Sequence, residues 1–169
     1  KTLGPNEMPT LETQVVDIAD EIAYDNHDLD DGLISGLIKE SDLGNLKIWN
    51  NINTDVVKKY PKIQQEKRKY LVIKSLIDMQ VTDLIEETEK NINTLKIKSY
   101  LDVKKLDRKV VSFSGAMLNL RKPLRIFLMD KLYHHYRVIR MSTKAKRFIQ
   151  ELFNVYLEKP EQLPAQTQQ

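Results

Sequence analysis

The chain contains no cysteine, which excludes a disulfide framework, a thiolate metal site and a thiol nucleophile, and fits a reducing compartment. Histidine is restricted to His27, His134 and His135. No apolar run reaches the roughly 18 residues that a membrane-spanning helix requires. The opening stretch KTLGPNEMPT has neither the apolar core of a secretory signal nor an initiator methionine. Together these absences predict a cytoplasmic chain without a membrane partner. The missing methionine adds the expectation of a piece cut from a longer polypeptide.

What is present is the composition of a globular protein: 169 residues, 41% hydrophobic and 30% charged. A chain of that length buries most of its unfolded surface, so one domain with a real core is expected. The formal net charge of +3 conceals a segregation. Residues 1–50 carry eleven acids against Lys1, Lys39 and Lys47, whereas residues 98–150 carry fourteen Lys and Arg against Asp102, Asp107 and Asp130. Either the two regions face each other or the basic one meets a polyanion such as nucleic acid or a nucleotide phosphate; two independently solvated faces are the plainer alternative.

Hydrophobic periodicity predicts an all-α helical bundle. A first helix starts after Thr10 as N-cap and runs to about Leu37 or Ile38, with Val15, Ile18, Ala19, Ile22, Leu29, Leu33 and Leu37 as its core stripe. Gly32 and Gly36 mark a bend or a close packing contact. Residues 41–65 read as a loop with short helices near Leu46 and Val56, broken at Pro61. A long helix follows over about 65–91, its apolar face including Tyr70, Ile73, Leu76, Val81, Leu84 and Ile85. Val110–Phe113 holds a short extended stretch, too little for a sheet. Further helices are expected from near Pro123 and from Ser142 or Thr143 to Pro160. Residues 1–160 thus form one all-α domain and 161–169 a frayed tail, without repeats or long low-complexity segments.

The first helix carries an unusual load. Residues 17–31 hold seven carboxylates, a tyrosine and a histidine. At about 100° per residue, Asp20, Tyr24, His27, Asp28 and Asp31 fall within roughly a quadrant. Like charges on one face repel by a few tenths of a kcal/mol per pair unless compensated. A divalent metal is one compensating partner and the basic C-terminal half is another; a solvated acidic face is the third reading. His27-Asp28 and His134-His135 are weak metal-binding signals, because neighbours on a helix point about 100° apart.

Taken whole, PTLETQVVDIADEIAYDNHDLDDGL (residues 9–33) resembles the bacterial deoxyguanosine triphosphate triphosphohydrolases of the HD-domain superfamily, and LYHHYRVIRMSTKAKRFIQELFNVYLEKPEQLP resembles the end of the same proteins. The resemblance implies a metal-dependent hydrolase of nucleotide metabolism that converts a deoxynucleoside triphosphate and water to deoxynucleoside and triphosphate. It implies a divalent metal such as Mg or Mn held by two histidines, an aspartate directly after the second, and a final aspartate that maps to Asp20. It further implies that Tyr24 packs on the deoxyribose and that Asp28 hydrogen-bonds its 3′-hydroxyl. The histidine ligands of the family precede the Asp20 motif, and this chain has no histidine there. The expectation is therefore a C-terminal portion, inactive alone, with no specific ion of its own and most catalytic residues outside it. Phosphate-neutralising cations are sought in the Lys131–Arg147 region, with Tyr133, His135, Arg137 and Arg140 as candidates. The family's habit of assembly implies a homo-oligomer. The rival reading is a non-catalytic helical module for oligomerisation or for binding a nucleotide or single-stranded nucleic acid, betrayed by a steep salt dependence.

Overall fold

A computed structural model describes residues 7–167 and is all-α, with no strand among them. The first helix, α1 (Leu11–Ile34), begins where the sequence places it: the Thr10 hydroxyl accepts the Thr13 N–H at 3.4 Å, and Glu12 sits in the first turn, where the helix dipole favours an anion. It ends short of the expected Leu37, because Gly36 adopts φ +70, a left-handed conformation that stops a helix. The chain then folds back so closely that the Ile38 N–H donates to the Gly32 carbonyl at 2.9 Å. A Cβ on Gly32 would lie 2.5 Å from Ile38 Cδ1, so Gly32 serves close packing.

Residues 41–65 hold the helices expected near Leu46 and Val56 and the break at Pro61, with the second helix longer than expected. A 3-10 turn over Glu40–Asn45 leads into α2 (Lys47–Lys59), which buries Ile48, Trp49, Ile52 and Val56. Those positions follow helical spacing, but Asn50, Asn51 and Asn53 between them are poor helix formers that mask the pattern. Burial of one face against its neighbour supplies what propensity does not. That neighbour is α3 (Gln65–Leu95), a 31-residue helix whose buried face is Val72, Ile73, Leu76, Gln80 and Leu84. The face is narrower than expected, since Tyr70 and Ile85 are exposed. α3 packs on both α1 and α2. Between α1 and α3, the Gln80 amide donates to the Asn26 side chain at 3.4 Å, and Asn26 donates to its own helix at Ile22 O.

After a short helix, α4 (Tyr100–Lys104), the extended Val110–Phe113 stretch finds a side chain where a strand would find a strand. The buried Gln14 amide oxygen accepts the N–H groups of Val110 and Val111 at 2.8 and 3.1 Å, and Asn91 donates to the Val110 carbonyl at 3.0 Å. Helix α5 (Gly115–Leu128) starts at Ser114, whose hydroxyl caps Met117 while Asp83 holds both its N–H and its hydroxyl. Pro123 therefore lies inside this helix rather than at its start. α5 continues through a wide π turn at Met129–Tyr133, where the His134 N–H reaches back to the Met129 carbonyl. The break before α6 (Tyr136–Glu158) is at His134-His135, with His135 Nδ1 accepting the Arg137 N–H, and not at Ser142 or Thr143. Pro160 ends α6 as expected; 3-10 turns follow at Pro160–Gln162 and Ala165–Thr167, and residues 168–169 of the expected tail lie outside the described residues.

Candidate functional site

The acids of α1 divide into a paired set and an unpaired set. Asp17 meets Lys109 at 3.3 Å, Glu21 meets Arg125 at 3.0 Å, and Asp25 meets Arg121 at 2.8 Å. The two poles of charge seen in the sequence thus face each other across α1 and the 109–125 region. The Arg121–Asp25 pair is the interior member: the arginine side chain is 4% exposed and the aspartate 8%. Arg121 also lies over the Phe113 ring at 4.2 Å, which holds the planar cation flat against the core. Neither Arg121 nor Asp25 stands out in the sequence, because the partners are 96 residues apart and the signal of an i,i+4 arginine pair with Arg125 resembles any solvated basic face.

Asp20, Asp28 and Asp31 lie on the adjoining face of the same helix, and only Asp30 is turned away. Among the described residues, the Asp20, Asp30 and Asp31 carboxylates have no cationic partner. Asp28 is half-buried and receives a hydrogen bond from the Tyr133 hydroxyl at its Oδ2. The Tyr133 ring stacks with that of Tyr24, with centroids 6.1 Å apart and planes 15° from parallel. Tyr24 keeps 58% of its surface exposed, so one ring edge and face remain open to a ligand. Burial raises the Asp28 pKa above the usual aspartate range, and the Asp31 and Asp25 charges push it the same way against His27. The π turn is what places Tyr133 here. An inserted residue in the helical repeat swings the ring off the α5 face that buries Leu124 and Leu128.

Of the residues expected in a site, Tyr24 and Asp28 are brought into one constellation, with Tyr133 between them. Asp20 stands exposed one turn before Tyr24. His135 and Arg137 are engaged with each other and with Tyr136 at the start of α6, and Arg140 is exposed on that helix. The cations that do face α1 are Lys109, Arg121 and Arg125, upstream of the region in which the sequence suggested looking. With Ile18, Glu21 and Phe113 they line a groove of about 430 Å³ that includes neither tyrosine nor Asp28. Among the described residues, no group of three or more His, Asp or Glu converges as a metal would require. One exposed carboxylate does not hold a divalent ion, so the described residues do not by themselves fit a metal centre.

Residues 111–169 match the phosphohydrolase-associated domain. Over 164 residues the chain is 40% identical to a deoxyguanosinetriphosphate triphosphohydrolase-like protein of Geobacter metallireducens, an alignment covering 97% of this chain and 43% of that relative. A protein of the same description from Geobacter sulfurreducens is 38% identical over 98% of this chain and 43% of its own length, and one from Ralstonia nicotianae is 38% identical over 96% and 42%. The chain spans less than half the length of the curated relatives it matches.

Proposed function

Since this chain belongs to the family of deoxyguanosinetriphosphate triphosphohydrolase-like proteins, we propose that it supplies the sugar-recognition wall of a deoxynucleoside triphosphate triphosphohydrolase. The observation that carries the reading is the Tyr24–Tyr133–Asp28 constellation, formed by residues 105 apart in the chain. A deoxyribose presents an apolar 2′-methylene and a polar 3′-hydroxyl. The Tyr24 ring, stacked on Tyr133, offers the methylene a flat apolar surface that favours it over a 2′-hydroxyl. Asp28, with Oδ2 occupied by Tyr133, keeps Oδ1 to accept the 3′-hydroxyl, and the tyrosine bond fixes its rotamer beforehand. A carboxylate accepts a hydroxyl more strongly than a carboxylic acid does, so with the Asp28 pKa raised by burial this contact would weaken as the group protonates in acid.

The triphosphate would meet the groove lined by Lys109, Lys122 and Arg125, where Lys109 and Arg125 would exchange their pairs with Asp17 and Glu21 for phosphate oxygens. Asp20 would give one carboxylate to a divalent ion such as Mg or Mn completed by ligands outside this chain. No step of the reaction is assigned to that ion from the residues present. On this reading the chain alone neither binds a specific metal nor turns over substrate.

The test joins this chain to the part of the Geobacter metallireducens relative that it does not match. Triphosphate release from deoxyguanosine triphosphate is expected from the chimera and not from the chain alone. Asp20→Ala in the chimera is expected to lower kcat by a factor of about 100 or more, the scale on which removal of one group in a reacting centre acts. Undiminished activity in that variant removes Asp20 from the site.

A further inference from the structure

Glu21 and Asp25, one turn apart on α1, interleave with Arg121 and Arg125, one turn apart on α5. A single oxygen of Glu21, Oε2, lies 3.0 Å from Arg125 Nη1 and 3.8 Å from Arg121 Nη2. The two halves of this square differ in kind. The Asp25–Arg121 half is interior, and breaking it strands a buried charge. The Glu21–Arg125 half is open, with side chains 45% and 53% exposed, and a pair in that setting contributes little, so little is lost when it is exchanged for another. Glu21 and both arginines line the groove together with Lys122, which has no carboxylate partner among the described residues. Arg121 Nε is buried with no acceptor among them either. The groove therefore holds more cationic donors than its own acids satisfy, and Glu21 is the acid that can leave.

We propose that Glu21 is a displaceable counter-ion that sets how tightly the groove holds inorganic triphosphate and so how readily that product leaves. It occupies Arg125 and screens Arg121 while the groove is empty, yields both to phosphate oxygens, and returns to Arg125 as the triphosphate departs. The proposal rests on the reading that a polyphosphate enters this groove. A ligand that reaches Arg125 has to displace a carboxylate tethered beside the guanidinium, which competes at the high effective concentration of any linked group. It also has to lie close to that carboxylate once displaced, and the repulsion grows as the product of the two charges. Orthophosphate carries about 1.5–2 negative charges at pH 7 and triphosphate roughly twice that or more. The restraint imposed by Glu21 is therefore greatest on triphosphate, the anion that four groove cations would otherwise hold longest. Asp25 cannot take this part, because its release would leave Arg121 or itself charged and unpaired in the interior.

Calorimetric titration of the full chain with inorganic triphosphate, and with orthophosphate for comparison, tests this at low ionic strength, where exposed charges are least screened. Glu21→Gln keeps the shape and removes the charge. It is expected to bind triphosphate about tenfold more tightly and orthophosphate about twofold more tightly, a gain graded by ligand charge. In an Arg125→Gln background the same substitution should gain less than about twofold for triphosphate, because the contact through which Glu21 acts is gone. Asp30→Asn removes an equal charge from the part of α1 turned away from the groove and should leave the dissociation constant unchanged. Helical circular dichroism equal to wild type verifies that the variants fold. The proposal is overturned if triphosphate binds to none of these proteins, if Glu21→Gln binds it no more tightly than wild type, if Asp30→Asn tightens it as much, or if the gain is undiminished in the Arg125→Gln background. Each of these outcomes leaves the sugar reading to its own test, the preference for a 3′-hydroxyl, which uses neither Glu21 nor Arg125.

Discussion

Removing Arg121 is the sharpest perturbation that the fold offers. Its guanidinium is 4% exposed, holds Asp25 at 2.8 Å and packs on Phe113 at 4.2 Å. Taking away one partner of a buried ion pair leaves an uncompensated charge in the interior, and losses of about 3–5 kcal/mol follow. Arg125 Nε is already 3.6 Å from Asp25 and softens the loss, which places Arg121→Met near 3 kcal/mol, the lower end of that range. With a urea slope of about 2 kcal/mol/M for a domain of this size, the unfolding midpoint falls by about 1.5 M. Trp49, the sole tryptophan and 2% exposed, reports the core by fluorescence alongside far-ultraviolet dichroism. Adding Asp25→Leu to Arg121→Met should recover most of the loss, because removing both charges of a buried pair is near neutral. A midpoint shift under about 0.3 M for Arg121→Met, or a double variant no better than the single one, would refute the assignment of this pair as the electrostatic lock between α1 and α5.

Lys96 ends α3 in the left-handed region at φ 54, so Lys96→Gly should raise stability by about 1 kcal/mol and the melting temperature by about 2–4 °C in calorimetry. Gly32→Ala drives a methyl into Ile38 and is expected to cost about 1–3 kcal/mol in urea unfolding, partly regained when Ile38→Val is added. In a carboxyl NMR titration Asp28 should titrate above the ordinary aspartate range, and Asp31→Asn should lower its midpoint without bringing it down to that range, since burial is the larger cause. The sign for stability follows: with a folded pKa above the unfolded one, Asp28 favours the fold in acid and that contribution is lost as pH rises through the folded value. A midpoint at or below the ordinary value contradicts the half-buried setting of Asp28.

The sequence made the helical class and the core side of α1 legible because Ile18, Ile22, Leu29 and Leu33 repeat at helical spacing. It hid what depends on buried polar residues. Gln14, Asp25, Asn26 and Arg121 are all buried, while Val15 on the expected stripe is 44% exposed. A hydrophobicity pattern cannot separate a buried glutamine that holds two distant N–H groups from a solvated one. The start of α5 was masked for a related reason: Pro123 reads as a first-turn residue, but Ser114 held by Asp83 is the stronger cap. In the candidate site, Tyr24 and Asp28 were visible from spacing and resemblance, and Tyr133 was visible only as a phosphate-contact candidate. Its place beside them depends on a π turn, which has no periodic signature.

The central claim is that Asp28, braced by Tyr133, receives the 3′-hydroxyl of a deoxyribose. The most direct measurement is kcat/KM for deoxyguanosine triphosphate against its 2′,3′-dideoxy analogue, in the chimera with the relative's remaining length and in its Asp28→Ala variant. A hydrogen bond to a carboxylate is worth about 1.5–3 kcal/mol, so a preference of about tenfold or more for the 3′-hydroxyl is predicted, collapsing toward unity in Asp28→Ala, which has no acceptor. A preference that survives the substitution undiminished contradicts the account.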